Sequence, residues 1–170
     1  SVRARWLNAL ADGIEARFDD FVRCESLDTG KPVHVVRDIE IPRAIENFRF
    51  FAAACQQSLD QAFHAEAGLN YTLHQPLGTV GVISPWNFPL VLSFIDAIPA
   101  LLAGAAVVIK PSEVTPRFVV PLQESINDVP ELKGVITLLQ GAAETGQALL
   151  STVDAIVFTG SVTTGRRVAV

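Results

Sequence analysis

Thr79-Val80-Gly81-Val82-Ile83-Ser84-Pro85-Trp86-Asn87-Phe88-Pro89 is an apolar run that ends in a proline-bounded pentapeptide. The run 79–84 has the length and composition of a strand buried on both faces. Pro85 and Pro89 fix φ on either side of Asn87, so its amide is held in advance of any ligand. A buried strand that opens into a rigid loop is where an open parallel sheet binds ligands, outside its carboxyl edge. A preset amide there suits stabilisation of a developing oxyanion. The plainer alternative is a proline-ended turn with a packed Trp86.

Working outward, apolar strands recur over 105–110, 134–139 and 155–158. Helical segments separate them over 89–103, 116–126 and 144–150, and another runs from 161 onward. Pro99 predicts a kink within 89–103. Strands and helices in alternation predict an α/β fold, a doubly wound parallel sheet of the Rossmann-like kind. Ahead of it, Leu7, Leu10, Ile14, Phe18, Phe21 and Val22 fall at helical spacing over 2–27, with Gly30 and Pro32 as the stop. Ile41, Ile45, Phe48, Ala52 and Cys55 mark a second amphipathic helix over 38–59, with Pro42 in its first turn. Residues 69–75 alternate as a short strand, polar on one side. The expected division is a helical part (1–68), a short strand (69–77) and a nucleotide-binding core (78–170).

The chain has 170 residues, enough for one domain with a substantial core, and 49% of them are apolar. No apolar run reaches the roughly 18 residues of a membrane helix. The net charge of −5, with acids and bases mixed, points away from nucleic acid and membrane surfaces. Cys24 and Cys55 show no metal or disulfide spacing, and His34, His64 and His74 show no ligand spacing. No metal site is expected, and a reducing cytoplasmic setting is. The chain contains no Met, which predicts an internal fragment of a longer protein.

Lys110 and Glu113 flank Pro111-Ser112 just past a buried strand, placed to meet a polar ligand. A solvated surface ion pair is the alternative. The stretch Gly160-Ser161-Val162-Thr163-Thr164-Gly165 joins a strand to a helix whose first N–H groups suit a phosphate. Alternatively Ser161 is only an N-cap. Arg166 and Arg167 stand where a nucleoside-triphosphate loop needs Lys and Ser/Thr, so the hydroxyl for Mg²⁺ is missing and that reading is strongly disfavoured. The nearest approach to a dinucleotide glycine fingerprint is Gly141-Ala142-Ala143-Glu144-Thr145-Gly146.

Four segments together resemble the aldehyde dehydrogenase superfamily: 25–32 (Glu-Ser-Leu-Asp-Thr-Gly-Lys-Pro), 85–89, 107–113 (Val-Val-Ile-Lys-Pro-Ser-Glu) and 158–165. Their order and spacing match, and they cover nearly the whole chain. The resemblance implies NAD-dependent oxidation of an aldehyde to the acid, with Asn87 holding the oxyanion. It places the cofactor along Ile83, Ser84, Pro85 and Trp86, then Lys110, Ser112 and Glu113. Gly141, Gly146, Phe158, Thr159, Gly160, Ser161 and Gly165 complete that path. In the family Lys110 and Glu113 meet the adenosine ribose, and a carboxylate there repels a 2′-phosphate, favouring NAD over NADP. The family often has glycine where Ala142 stands and asparagine where Ala105 stands. Its catalytic thiolate and Glu-Leu-Gly-Gly-Lys general-base segment lie downstream of the pyrophosphate loop, so they are expected beyond Val170. Residues 69–75 are similar to its bridging strand, implying a homo-oligomer, dimer or tetramer. Residues 38–43 are similar to segments of semialdehyde dehydrogenases. Two other readings stay open: a cofactor-binding module without catalysis, and a fragment serving oligomer contacts.

Overall fold

The computed structural model describes residues 1–57, 61–66 and 68–169. The chain opens with helices α1 (Val2–Ala16) and α2 (Phe18–Thr29). A single helix over 2–27 was expected, but Arg17 (φ −107°, ψ 22°) breaks it. The Arg17 N–H bonds the Ile14 carbonyl, a tight closing turn, and its guanidinium is drawn away to Glu124 (3.3 Å) and Asp128 (2.7 Å). Leu7, Leu10, Ile14, Phe21 and Val22 are buried as the spacing required. Gly30 at φ +72° ends α2 in the left-handed conformation that glycine adopts without strain.

The second helical stretch starts earlier than residue 38. A short α3 (Val33–Val35) leads into a π-helical turn (Val36–Glu40) and then α4 (Ile41–Ala54). Pro42 has no N–H for the Asp38 carbonyl and its ring would collide with it, and the wider turn just before absorbs the mismatch. The turn carries Glu40 into the interior, where it is 2% exposed. The helix was expected to run to residue 59, which lies outside the described residues, but it ends at Ala54, with Cys55 as its C-cap and residues 55–57 turning beyond it.

An antiparallel hairpin follows, β1 (Ala62–Ala65) with β2 (Gly68–Tyr71), in the register Ala62↔Tyr71. The expected strand over 69–75 stops at Tyr71, and β1 was not foreseen. Every described residue of the hairpin is exposed, so no buried face gave the pattern away.

The main sheet has four parallel strands: β3 (Thr79–Ile83), β4 (Ala106–Lys110), β5 (Ile136–Leu138) and β6 (Ala155–Phe158). Their order is β5-β4-β3-β6. The chain lays strands outward from β3 in one direction, then returns to its other side. The order reverses between β3 and β6, the topological switch point of a doubly wound sheet.

Between β3 and β4 lie α5 (Pro89–Phe94) and α6 (Ala97–Ala103). The expected kink is a full break at Ile95-Asp96, where the Pro99 ring would meet the carbonyl four residues back. Helix α7 (Val119–Asn127) starts three residues later than expected, because residues 116–118 first wind through a turn closed by Val119 N–H to Pro116 O and Val120 N–H to Arg117 O. A 3₁₀ turn (Pro130–Leu132) precedes β5, α8 (Ala143–Leu150) precedes β6, and α9 (Val162–Val168) follows it. Helix α1 packs on α4, α6 and α7; α6 packs on β3 and β4; α8 packs on β3. Val80, Val82, Val107 and Ile109 of the central strands are buried, and Phe48 meets Phe94 at 4.9 Å between ring centroids.

Candidate active site

The loop 85–89 leaves β3 at the sheet's carboxyl edge, and its backbone is held from several sides. Ser84 and Ser93 share a buried hydroxyl bond of 2.8 Å across its base. The Thr115 hydroxyl donates to the Trp86 carbonyl (3.2 Å). Lys31 Nζ donates to the Asn87 carbonyl (2.5 Å), and the Leu90 N–H donates to Glu25 Oε1 (2.8 Å). The Leu92 N–H bonds Phe88 O and begins α5.

The backbone is tied without a side-chain hydrogen bond from Asn87 among the described residues. The Asn87 Oδ1 is buried and lacks a partner among the described residues. Buried polar atoms are normally paired, so an unpaired amide oxygen at a strand end calls for an explanation. Trp86 is 54% exposed rather than packed.

One row of residues crosses the carboxyl edge: Lys110 of β4 stands opposite Ile83 of β3, which stands opposite Phe158 of β6. All three line a cavity of about 500 Å³, closed by Glu113, by Gly146 and Gln147 of α8, and by Thr164 and Arg167 of α9. Lys110 Nζ lies 3.1 Å from Glu113 Oε2 and 3.3 Å from Pro111 O. Only 6% of the Lys110 side chain is exposed against 52% for Glu113, so this is not a solvated surface pair. Glu113's own backbone N–H, then the Lys110 ammonium, hold its carboxyl below the usual range. An ionised acceptor therefore stands at the cavity mouth.

Of the residues singled out from sequence, Ile83, Lys110, Glu113, Gly146 and Phe158 meet at this cavity. Ser84, Pro85, Trp86, Asn87, Ser112, Gly141, Thr159, Gly160, Ser161 and Gly165 lie outside its lining. Ser161 is the N-cap of α9: its Oγ accepts from the Thr164 N–H (3.2 Å) and bonds the Thr164 hydroxyl (3.0 Å). Gly160 and Gly165 lie under the Phe158 ring, and a Cβ on Gly160 would come within 2.6 Å of it. Ala142 has φ −92°, so the departure from glycine there brings no strain. A wider, shallower depression of about 850 Å³ runs between α8 and α9 and holds none of the residues singled out for a site.

Among the described residues no cluster of His, Cys, Asp or Glu could hold a metal, and no helix is long and apolar enough to cross a membrane. Burial pushes the Cys24 thiol up, away from an activated thiolate, and the Cys55 thiol donates to Ala52 O. Neither resembles a poised nucleophile.

A model of the aldehyde dehydrogenase family matches residues 1–170, the full extent of the sequence. The chain belongs to the aldehyde dehydrogenase family. It is similar to 2-hydroxymuconic semialdehyde dehydrogenase of Pseudomonas sp. strain CF600, 40% identical over 177 residues, which span 99% of this chain and 36% of that protein. The aldehyde dehydrogenase of Bacillus cereus, solved as its NAD⁺ complex, superposes with a TM-score of 0.90 at 35% identity, over 98% of this chain and 35% of that one. The glyceraldehyde-3-phosphate dehydrogenase of Methanocaldococcus jannaschii, solved with NADP, gives a TM-score of 0.90 at 31% identity, over 98% and 38%. The chain thus spans about a third of the length of the relatives it matches.

Within the aldehyde dehydrogenase frame, segment 25–32 acquires a physical role that its sequence alone did not disclose. Glu25 holds Leu90, Lys31 holds Asn87, and the Asp28 carboxylate accepts from the Arg117 N–H (2.8 Å) and pairs with its guanidinium. The end of α2 thereby fastens the loops that leave both β3 and β4. Gln147, Thr164 and Arg167 were also missed, because helix periodicity says nothing about which two helices face each other.

Proposed function

We propose that the protein carrying this chain oxidises an aldehyde to the carboxylic acid with a nicotinamide dinucleotide as hydride acceptor. This chain supplies most of the cofactor's seat and the oxyanion-holding amide. The observation that carries the reading is the pairing of two features on one sheet edge. One is the cavity closed by Lys110 and an ionised Glu113; the other is the uncommitted Asn87 amide on its braced loop. The donor set fits a dinucleotide: a carboxylate for ribose hydroxyls, a buried ammonium beside it, and glycine-lined turns for phosphates.

The bound dinucleotide would supply the electron sink. Lys110 and Glu113 would fix the adenosine ribose, and Glu113 would disfavour a 2′-phosphate, so the reading is NAD over NADP. Ile83, Ser84, Pro85, Trp86 and Ser112 would border the cofactor where it leaves β3 and β4. Gly141, Phe158, Thr159, Gly160, Ser161 and Gly165 would flank it near α8 and α9. Asn87 would donate its amide N–H to the oxygen that gains charge as a nucleophile adds to the aldehyde carbon, and keep that oxygen oriented while hydride leaves. Residues 78–170 act as the cofactor core, with the helices of 1–54 as its support. The exposed hairpin suits contact between subunits of a homo-oligomer. A semialdehyde is the substrate class favoured by the similarity to the Pseudomonas enzyme.

The test is to titrate the full-length protein with NAD and NADP by calorimetry, then follow NADH formation with semialdehydes and simple aldehydes. NAD binding without any aldehyde oxidation would leave only a cofactor-binding module. Failure to bind either dinucleotide would overturn the reading.

A further inference from the structure

Three charged side chains meet beneath the loop that carries Asn87. Glu25 is 1% exposed and Glu40 is 2% exposed. Lys31 Nζ lies 2.6 Å from Glu40 Oε1, 2.5 Å from Asn87 O and 3.7 Å from the centroid of the Phe88 ring. Glu25 takes the N–H of Leu90, three residues past Asn87. Residues 87, 88 and 90 are therefore each gripped, and Pro89 between them has no N–H to grip. The grip comes from sequence positions 56 to 65 residues upstream, not from the sheet that delivers the loop.

The cluster also has an unfinished charge count. Two carboxylates and one ammonium leave one negative charge in a closed space, which costs heavily unless it is neutralised. Glu25 Oε2 and Glu40 Oε2 are both buried without a partner among the described residues, so one proton on the pair would satisfy them. Burial first, opposed by the Leu90 N–H and reinforced by Glu40, raises the Glu25 carboxyl to about 7, consistent with that proton. Buried ion pairs are seldom the most stable way to fill a core; apolar side chains of the same volume often do as well. A cluster of this kind aimed at one short loop makes better sense as a device that fixes geometry.

We propose that Lys31 and Glu25, with Glu40 orienting Lys31, are positioning residues that set where the Asn87 amide points. The proposal rests on the reading of Asn87 as the oxyanion donor. An oxyanion donor works only when held to within about half an ångström of its place. The brace supplies that hold from the backbone side while leaving the amide itself free.

The test is a double-mutant cycle in the full-length protein, read by single-turnover NADH formation with saturating NAD and aldehyde. Lys31→Met should lower that rate at least tenfold, leave the dissociation constant for NAD within twofold, and be largely rescued by Lys31→Arg. In an Asn87→Ala background, Lys31→Met should change the rate less than twofold, because the donor it positions is gone. The same fold loss in both backgrounds, or a folded Lys31→Met with full rate, would overturn the proposal. If Lys31→Met does not fold, Glu25→Leu carries the same cycle, since it keeps the volume but removes the acceptor for the Leu90 N–H. An Asn87→Ala rate equal to wild type would sink the reading of Asn87 and the proposal together. Loss in Asn87→Ala alone would sink only the proposal.

Discussion

Replacing Glu25 by Gln should change how stability depends on pH, and the size follows from the burial of that carboxyl. In the folded chain Glu25 is raised from 4.5 to about 7, by burial first, with the Leu90 N–H opposing and Glu40 adding. A carboxyl raised on folding binds its proton more tightly in the native state. Its contribution is fully present below the unfolded value near 4.5 and is lost as pH rises through about 7. That gap corresponds to roughly 3 kcal/mol, at about 1.4 kcal/mol per tenfold in proton affinity. The charged groups facing it are Glu40 and Lys31, so the loss belongs to the Glu25–Glu40 pair rather than to one oxygen. The assay is urea unfolding of wild type and Glu25→Gln at matched pH values from 4.5 to 8. The difference between the two proteins cancels other titrating groups. Relative to Glu25→Gln, wild type should lose roughly 3 kcal/mol across pH 4.5–7 and nothing further above. At a slope of about 1–3 kcal/mol per molar urea, that is a midpoint change on the order of 1–3 M. A difference that stays flat across the window would show that Glu25 enters the folded protein already ionised.

Three further outcomes are expected of the full-length protein. Asn87→Ala should cost about 2.7–4 kcal/mol in the chemical step, the scale for one oxyanion donor, with NAD affinity and melting temperature close to wild type. Stopped-flow rates beside a calorimetric titration check it, and a drop in melting temperature with an unchanged rate would return Asn87 to a turn-holding role. Glu113→Gln should narrow the preference for NAD over NADP by roughly 1–3 kcal/mol in kcat/KM, by removing a charge-assisted acceptor. An unchanged ratio would mean that the carboxylate does not face the ribose. Gly160→Ala should crowd the Phe158 ring and lower folding stability by roughly 1–3 kcal/mol, the usual cost of overpacking, measured by urea unfolding, with a weaker fluorescence titration by NADH alongside it.

Much of this architecture could be read in the chain before its coordinates. The four strands of the main sheet announce themselves because parallel strands covered on both faces must be continuously apolar. Gly30 and Ser161 stand where a helix stop and a helix cap need them. The misreadings have physical causes. Arg17 breaks a helix of good periodicity because its partners, Glu124 and Asp128, lie over a hundred residues away. Strand β1 was missed because an exposed hairpin has no face to mark. Lys110 and Glu113 are three residues apart, so a local motif could expose them. Lys31 and Asn87 are 56 apart, and no local pattern joins them.

The strand order also sets a timetable for synthesis. Strands β3, β4 and β5 follow one another along the chain and pair side by side as they emerge. Strand β6 must return to β3, and the Asp154 carboxylate takes the Thr79 N–H across 75 positions of sequence. Closing so long a loop is entropically costly and slow. A ribosome-bound chain will therefore hold Lys110 and Ile83 in place well before Phe158 arrives to wall off the crevice. Until then β3 is an edge strand, with its backbone N–H and C=O groups on the β6 side open to pairing with another strand.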